Sequence, residues 1–262
     1  MQRGIIDSHA HICGSALFPR FEQVVSDAKA AGIDRIMIVC TETDEAERAL
    51  QIARNNPMFD VAAAFYPNDV GRATEGDWKK LEEIVSRKGI SAVGEIGMDY
   101  FSDEVPHEKQ KEAFIRQIKW ANRLQKPILV HMRLATSDTM AIMKEHLRVP
   151  GIMHCYSGGY RAMNEFLAMG MYLSFSGNIT FEDDEQTFEA VRRVPMDRIL
   201  VETDSPSLTP EPVHHLENEP KYIVHVIHKI CELRGISEEE LIAASSRNYR
   251  RLFGKTGTAQ QL

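Results

Sequence analysis

The sequence predicts an α/β chain folded as a (β/α)8 TIM barrel, and three observations lead there. Eight short apolar runs alternate with segments of helical periodicity between residue 5 and residue 253. No glycine-rich dinucleotide turn follows the first run, which disfavours an open doubly wound sheet. The length, 262 residues, suits one such barrel, so 1–254 is read as a single domain with no linker and no internal repeat.

Residues 5–12 open the barrel as a strand whose period of two turns Asp7, His9 and His11 to one side. A helix over 18–31 gathers Phe18, Phe21, Val24, Val25 and Ala28 on one stripe and stops at Gly32. The run 35–40 is apolar on both faces, as in a buried parallel strand. Thr41 and Thr43 are placed to cap a helix over 44–55, which Asn56 and Pro57 end. Strand 60–67, helix 76–88, strand 92–99 and a long helix over 107–125 follow, the last closed by Pro127. Strand 127–133, helix 137–147, strand 151–157 and helix 160–169 come next, then strand 171–177, helix 182–194 and strand 199–206. Two helices, 220–234 and 237–253, close the chain, and the small polar tail 255–262 is expected to fray.

Composition narrows the function. With 43% hydrophobic and 26% charged residues the chain reads as globular, neither disordered nor fibrous. No run reaches the roughly 18 apolar residues that span a bilayer, and no basic and apolar leader precedes the first strand, so a cytoplasmic location with no membrane partner is expected. No obligate protein partner is evident. Cys13, Cys40, Cys155 and Cys231 show no C-x-x-C spacing, which suggests neither a disulfide framework nor a zinc finger. The net charge of −7 argues against coating nucleic acid through a broad basic surface, although a metal site could still attract a phosphate locally.

The chemistry gathers at strand ends. In a barrel the C-terminal ends of the strands converge on one mouth, so residues far apart in sequence become neighbours there. His9 and His11 end strand one, Glu95 lies in strand four, His131 ends strand five, His154 lies in strand six and Asp204 ends strand eight. Taken alone, His9 and His11 are weak evidence, since a chance His-x-His is expected about 0.4 times at this histidine content. His131 and His154 taken singly read as satisfied core histidines. Glu95 is different, because a carboxylate in an apolar strand is almost never buried without a partner. Together, six potential ligands from five strands point to a divalent cation, which offsets the cost of placing such groups at strand ends. Glu202 shares a face with Asp204, so one of the two can ligate while the other orients. Arg133, two residues past His131, is placed to hold a phosphate oxygen. His214 and His215, in the loop after strand eight, are placed to touch substrate.

Five segments, 7–11 (DSHAH), 94–99 (GEIGMD), 127–133 (PILVHMR), 154–158 (HCYSG) and 201–206 (VETDSP), resemble in order the motifs of the TatD-like family of metal-dependent hydrolases. Gln110, Phe114 and 248–253 also look like that family, so the similarity runs from about residue 5 to 253. It implies a barrel of the amidohydrolase superfamily with one or two divalent metals, mostly deoxyribonuclease activity, and His9, His11, Glu95, His131, His154 and Asp204 as ligands. Glu95 would bridge two cations through its two oxygens, and Asp204 would both ligate and take a proton from the attacking water. Four imidazoles favour Zn, Mn, Ni or Co, while the family is often active with Mg.

The chain departs from the family pattern in two places. Cys13 stands where many members carry an acidic residue, and the loop 212–217 (PVHHLE) holds histidines and a glutamate where basic residues are usual. The expected activity is cleavage of DNA or of a small phosphodiester by a metal-activated water, as in trimming from an end. Two alternatives stand beside it: hydrolysis of a C–N or ester bond in a small molecule, and a metal-binding barrel without turnover.

Overall fold

Eight strands lie edge to edge in the order of the sequence, each pair of neighbours parallel. They are β1 (Ile5–Ala10), β2 (Ile33–Cys40), β3 (Phe59–Ala63), β4 (Ala92–Asp99), β5 (Ile128–Arg133), β6 (Gly151–Met153), β7 (Met171–Phe175) and β8 (Ile199–Val201). This is the expected (β/α)8 barrel, seen in a computed structural model that describes residues 4–181 and 184–254. Parallel neighbours need a crossover, which helices α1 (Phe21–Ala30), α2 (Thr43–Ala53), α3 (Glu75–Val85), α4 (His107–Leu124), α5 (Thr136–His146), α6 (Gly159–Ala168) and α7 (Glu185–Arg193) provide. Helices α8 (Ile223–Arg234) and α9 (Glu238–Phe253) complete the outer ring. No helix among the described residues is long and apolar enough to cross a membrane.

Strand alternation divides the core in two. Ile6, Met37, Val39, Leu129, Ile152 and Leu200 form a cluster in the barrel interior with Tyr249 of α9, whose hydroxyl donates to Asp60 Oδ2 at 2.8 Å and closes the N-terminal end. A second, larger cluster lies between strands and helices. Above the apolar plug the interior turns polar, beginning with Ser8 and Ser174, whose hydroxyls meet at 2.8 Å.

Between β8 and β1 the barrel closes through loop and side chain. Ala10 bridges Ser205, His11 N–H donates to Ser205 O at 2.8 Å, and Asp204 N–H donates to His9 O at 3.0 Å. Asp7 belongs to this seam. Its carboxylate accepts from Thr203 N at 3.0 Å and from Thr203 Oγ1 at 2.6 Å, while burial raises its pKa to about 7 against the pull of those bonds. The expectation that Asp7 shares a face with His9 and His11 is therefore corrected: a register shift between Asp7 and Ala10 breaks the period of two.

Several ends also differ. The predicted strands 151–157 and 199–206 stop at Met153 and Val201, because Cys155 (φ 42°) and Asp204 (φ 55°) sit in left-handed backbone that no ladder continues. Residue 11 lies just beyond β1. Neither Thr41 nor Thr43 caps α2: the cap position is Glu42, with no side-chain cap bond. The predicted start of α7 at residue 182 and the tail 255–262 lie outside the described residues.

Candidate metal centre

The polar interior culminates at the C-terminal mouth, where β4 and β5 must approach closely. Gly97, at φ 140°, permits this: a Cβ there would stand 1.9 Å from His131 O. Glu95, two residues earlier on β4 and 3% exposed, then reaches imidazoles from three other strands' ends. Its Oε2 lies 3.3 Å from His9 Nε2 and 3.5 Å from His11 Nε2. Its Oε1 lies 2.9 Å from both His131 Nδ1 and His154 Nε2. Asp204 Oδ1 stands 3.6 and 3.5 Å from His9 and His11 Nε2.

Within each histidine pair the facing nitrogens are 3.2 Å apart. Lone pairs aimed at each other at that distance repel unless a proton or a cation lies between them. Tetrahedral ligand atoms at about 2.0–2.1 Å from a metal are separated by about 3.3–3.4 Å, so the donor spacing fits a divalent cation on either side of Glu95. Two groups of ligand atoms within 4.8 Å reflect this, His9 with His11 and Glu95, and Glu95 with His131 and His154. A third joins His9, His154 and Glu202.

Other carboxylates hold the rings from behind. His131 Nε2 is 3.0 Å from Asp99 Oδ2, which also accepts from the Tyr66 hydroxyl at 2.8 Å. His154 Nδ1 is 3.2 Å from Glu202 Oε1, and Cys155 N–H donates to the same oxygen at 2.7 Å. Such contacts select the tautomer and fix the ring plane. His9 Nδ1 and Glu202 Oε2 are buried without a partner, a state costing about 1–3 kcal/mol per atom.

Charge agrees with the geometry. Burial would raise Glu95, but the His154 charge and hydrogen bonds from His11, His131 and His154 hold its carboxyl well below the usual range. Burial would lower His11, yet hydrogen bonds to Asp204 and Glu95 raise it to about 10. His131 and His154 are also raised against burial, the first by Asp99 and Glu95, the second by Glu95 and Glu202. His9 alone is lowered, by burial and then by the charge on His154.

The structure thus brings His9, His11, Glu95, His131, His154 and Asp204 to one cluster, with Glu202 behind His154. Arg133 lies at the rim of a cavity of about 710 Å³ that contains the cluster's open side. His214 and His215 are not brought there: neither lines the cavity. Their loop is held elsewhere, because Glu211 N–H donates to Thr180 Oγ1, Asn218 ties it to Thr203 O and Ser207 O, and Arg20 pairs with Glu217 and Glu219. His214 packs instead against Phe181, with ring centroids 5.7 Å apart. Sequence reasoning passed over Asp99 and Tyr66. Asp99 carried a usable signal, since it lies four residues past Glu95 on the same strand face.

A parallel eight-stranded barrel with two imidazole pairs about one buried carboxylate at its C-terminal mouth defines a metal-dependent hydrolase. Residues 6–254 match the TatD related DNase family, and the chain belongs to that family. It is 36% identical over 251 residues to YabD of Bacillus subtilis, described as an uncharacterized metal-dependent hydrolase, covering 95% of this chain and 98% of that one. A Citrobacter rodentium protein named 3′-5′ ssDNA/RNA exonuclease TatD is 28% identical, covering 96% of this chain and 98% of that one. The crystal structure of the TatD homolog YJJV from Escherichia coli K12 has a TM-score of 0.90 and 27% identity, covering 97% of this chain and 99% of that one.

Proposed function

We propose that this protein hydrolyses phosphodiester bonds at the ends of DNA or RNA strands. The observation that carries the reading is Glu95 presenting one oxygen to His9 and His11 and the other to His131 and His154. His9, His11, Glu95 and Asp204 would hold one divalent cation, and His131, His154 and Glu95 a second. When bound, a cation pair supplies an activated water and neutralises charge growing on the phosphoryl oxygens.

This chain's own residues do the rest. Asp204, held in its ionised form, takes the proton of the attacking water through the carboxylate that faces the cavity. Arg133 donates to a phosphoryl oxygen from the rim, and Glu202 keeps the His154 ring in place. The name of the Citrobacter relative supports the substrate class. Turnover of single-stranded oligonucleotides, of duplex ends and of p-nitrophenyl acetate, each with Mg, Mn, Zn, Ni and Co, tests the reading. Metal-dependent cleavage of the oligonucleotides is expected; turnover confined to the carboxylic ester would replace this reading with acyl hydrolysis.

A further inference from the structure

Four large apolar side chains are exposed among the described residues: Phe101, Leu134, Phe181 and Leu216. Two of them, Phe101 and Leu134, stand within two residues of the C-terminal ends of β4 and β5, on the face that carries the metal centre. Phe101 and Leu134 line the same cavity as Glu95, His131 and Asp204. Phe101 is 65% exposed, although the Arg133 guanidinium lies 3.7 Å from its ring centroid. One face of the ring is thus covered by a cation, and the exposure leaves the other open. Leu134 is 74% exposed and sits at φ 54°, a left-handed conformation unfavourable for a bulky side chain. Glycine at residue 134 would relieve the strain and remove the exposed apolar surface. A residue that bears both costs at a cavity rim points to a ligand.

The chemistry at this rim is narrow. A guanidinium over a phenyl ring is a flat, polarised surface of the kind on which nucleobases stack, whatever the base, because every base has a π face. The basic track that would grip a long phosphate backbone is lacking in the loop 212–217, whose Glu217 pairs with Arg20 and whose histidines do not line the cavity. Affinity for a strand end then needs a contribution beyond the counterion release that Arg133 provides.

We infer that Phe101, stacked on Arg133 and flanked on the rim by Leu134, is a platform for an unpaired nucleobase adjoining the scissile phosphate. This deepens the phosphodiesterase reading and rests on it. A paired base presents its face to its neighbours in the stack and is withheld from the platform. Arg133 then has two roles, its plane steadying the ring and its N–H edge directed at the phosphate.

The test compares kcat/KM for the metal-loaded wild-type protein, Phe101→Ala and Leu134→Gly. Substrates are a single-stranded oligonucleotide and versions abasic at each of the two nucleotides flanking the scissile bond. Phe101→Ala should lose roughly tenfold or more on the intact strand, the size of one stacked base, with the loss mostly in KM. One of the abasic strands, already a poorer substrate for the wild type, should lose little further. Leu134→Gly should weaken the same base-bearing strand while melting at a higher temperature than the wild type, which separates binding from folding. Equal losses on the intact strand and both abasic strands would overturn the platform and leave the phosphodiesterase reading standing. A wild-type protein that cleaves no oligonucleotide with any cation would overturn both.

Discussion

The two sides of Glu95 are built differently. On the His131 and His154 side both nitrogens face Glu95 Oε1 at 2.9 Å, and each ring is held from behind by a carboxylate, Asp99 or Glu202. On the His9 and His11 side the distances to Glu95 Oε2 are 3.3 and 3.5 Å, His9 Nδ1 has no partner, and the remaining carboxylate, Asp204, comes from left-handed backbone in the β8–β1 seam. Rigidly supported rings lose less freedom on taking up a cation, so the first side should bind more tightly and the second should be the labile side that works on water. The contrast separates holding from reacting within one cluster.

Removing the shared residue tests the contrast most severely. Glu95→Ala is expected to lose both cations and all metal-dependent turnover, whereas His154→Ala should lose chiefly the one held with His131. Metal analysis of the two purified variants decides it, and two full equivalents in Glu95→Ala would show that the two sides do not depend on a common bridge. Next in size, Asp204→Asn should lower kcat by about 10²- to 10⁴-fold with a much smaller change in KM, as expected for loss of a base. An unchanged kcat would move proton transfer to the other side of Glu95.

Support from behind is worth less than a ligand. Asp99→Asn should weaken the tighter cation by about 10- to 100-fold and leave the other nearly as it was, measured by competition with a fluorescent chelator. Equal weakening of both would erase the asymmetry. The smallest effect concerns protons. Without a cation, His11 is raised to about 10 from an unfolded value of 6.5, so the folded protein keeps a proton that the unfolded chain releases at neutral pH. That contribution to metal-free stability is present in full below pH 6.5 and is lost as pH rises through about 10. Cation binding needs the lone pair, so at pH 7.5 metal addition should release at least about one proton, and affinity should rise with pH across that window. A weakly buffered titration showing no acidification would mean that the ring is already neutral.

The architecture and the members of the cluster were legible from sequence for one reason. Strand order in a parallel barrel is chain order, so polar residues interrupting apolar runs at eight strand ends must meet at one mouth. Asp99 was legible in principle from its place on the Glu95 face. The fate of Asp7 was not, because a single register shift in β1 moves a side chain from one face to another, and pairing across the closing seam decides it. The loop carrying His214 and His215 shows the same limit more plainly. Its composition suits a substrate contact, but its direction is set by Thr180, Thr203 and Arg20, partners up to roughly two hundred residues away. Local sequence determines which side chains a strand end can offer, since backbone periodicity is a local property. Which of them face the cation and which turn aside depends on long-range hydrogen bonds, and only the closed barrel forms those.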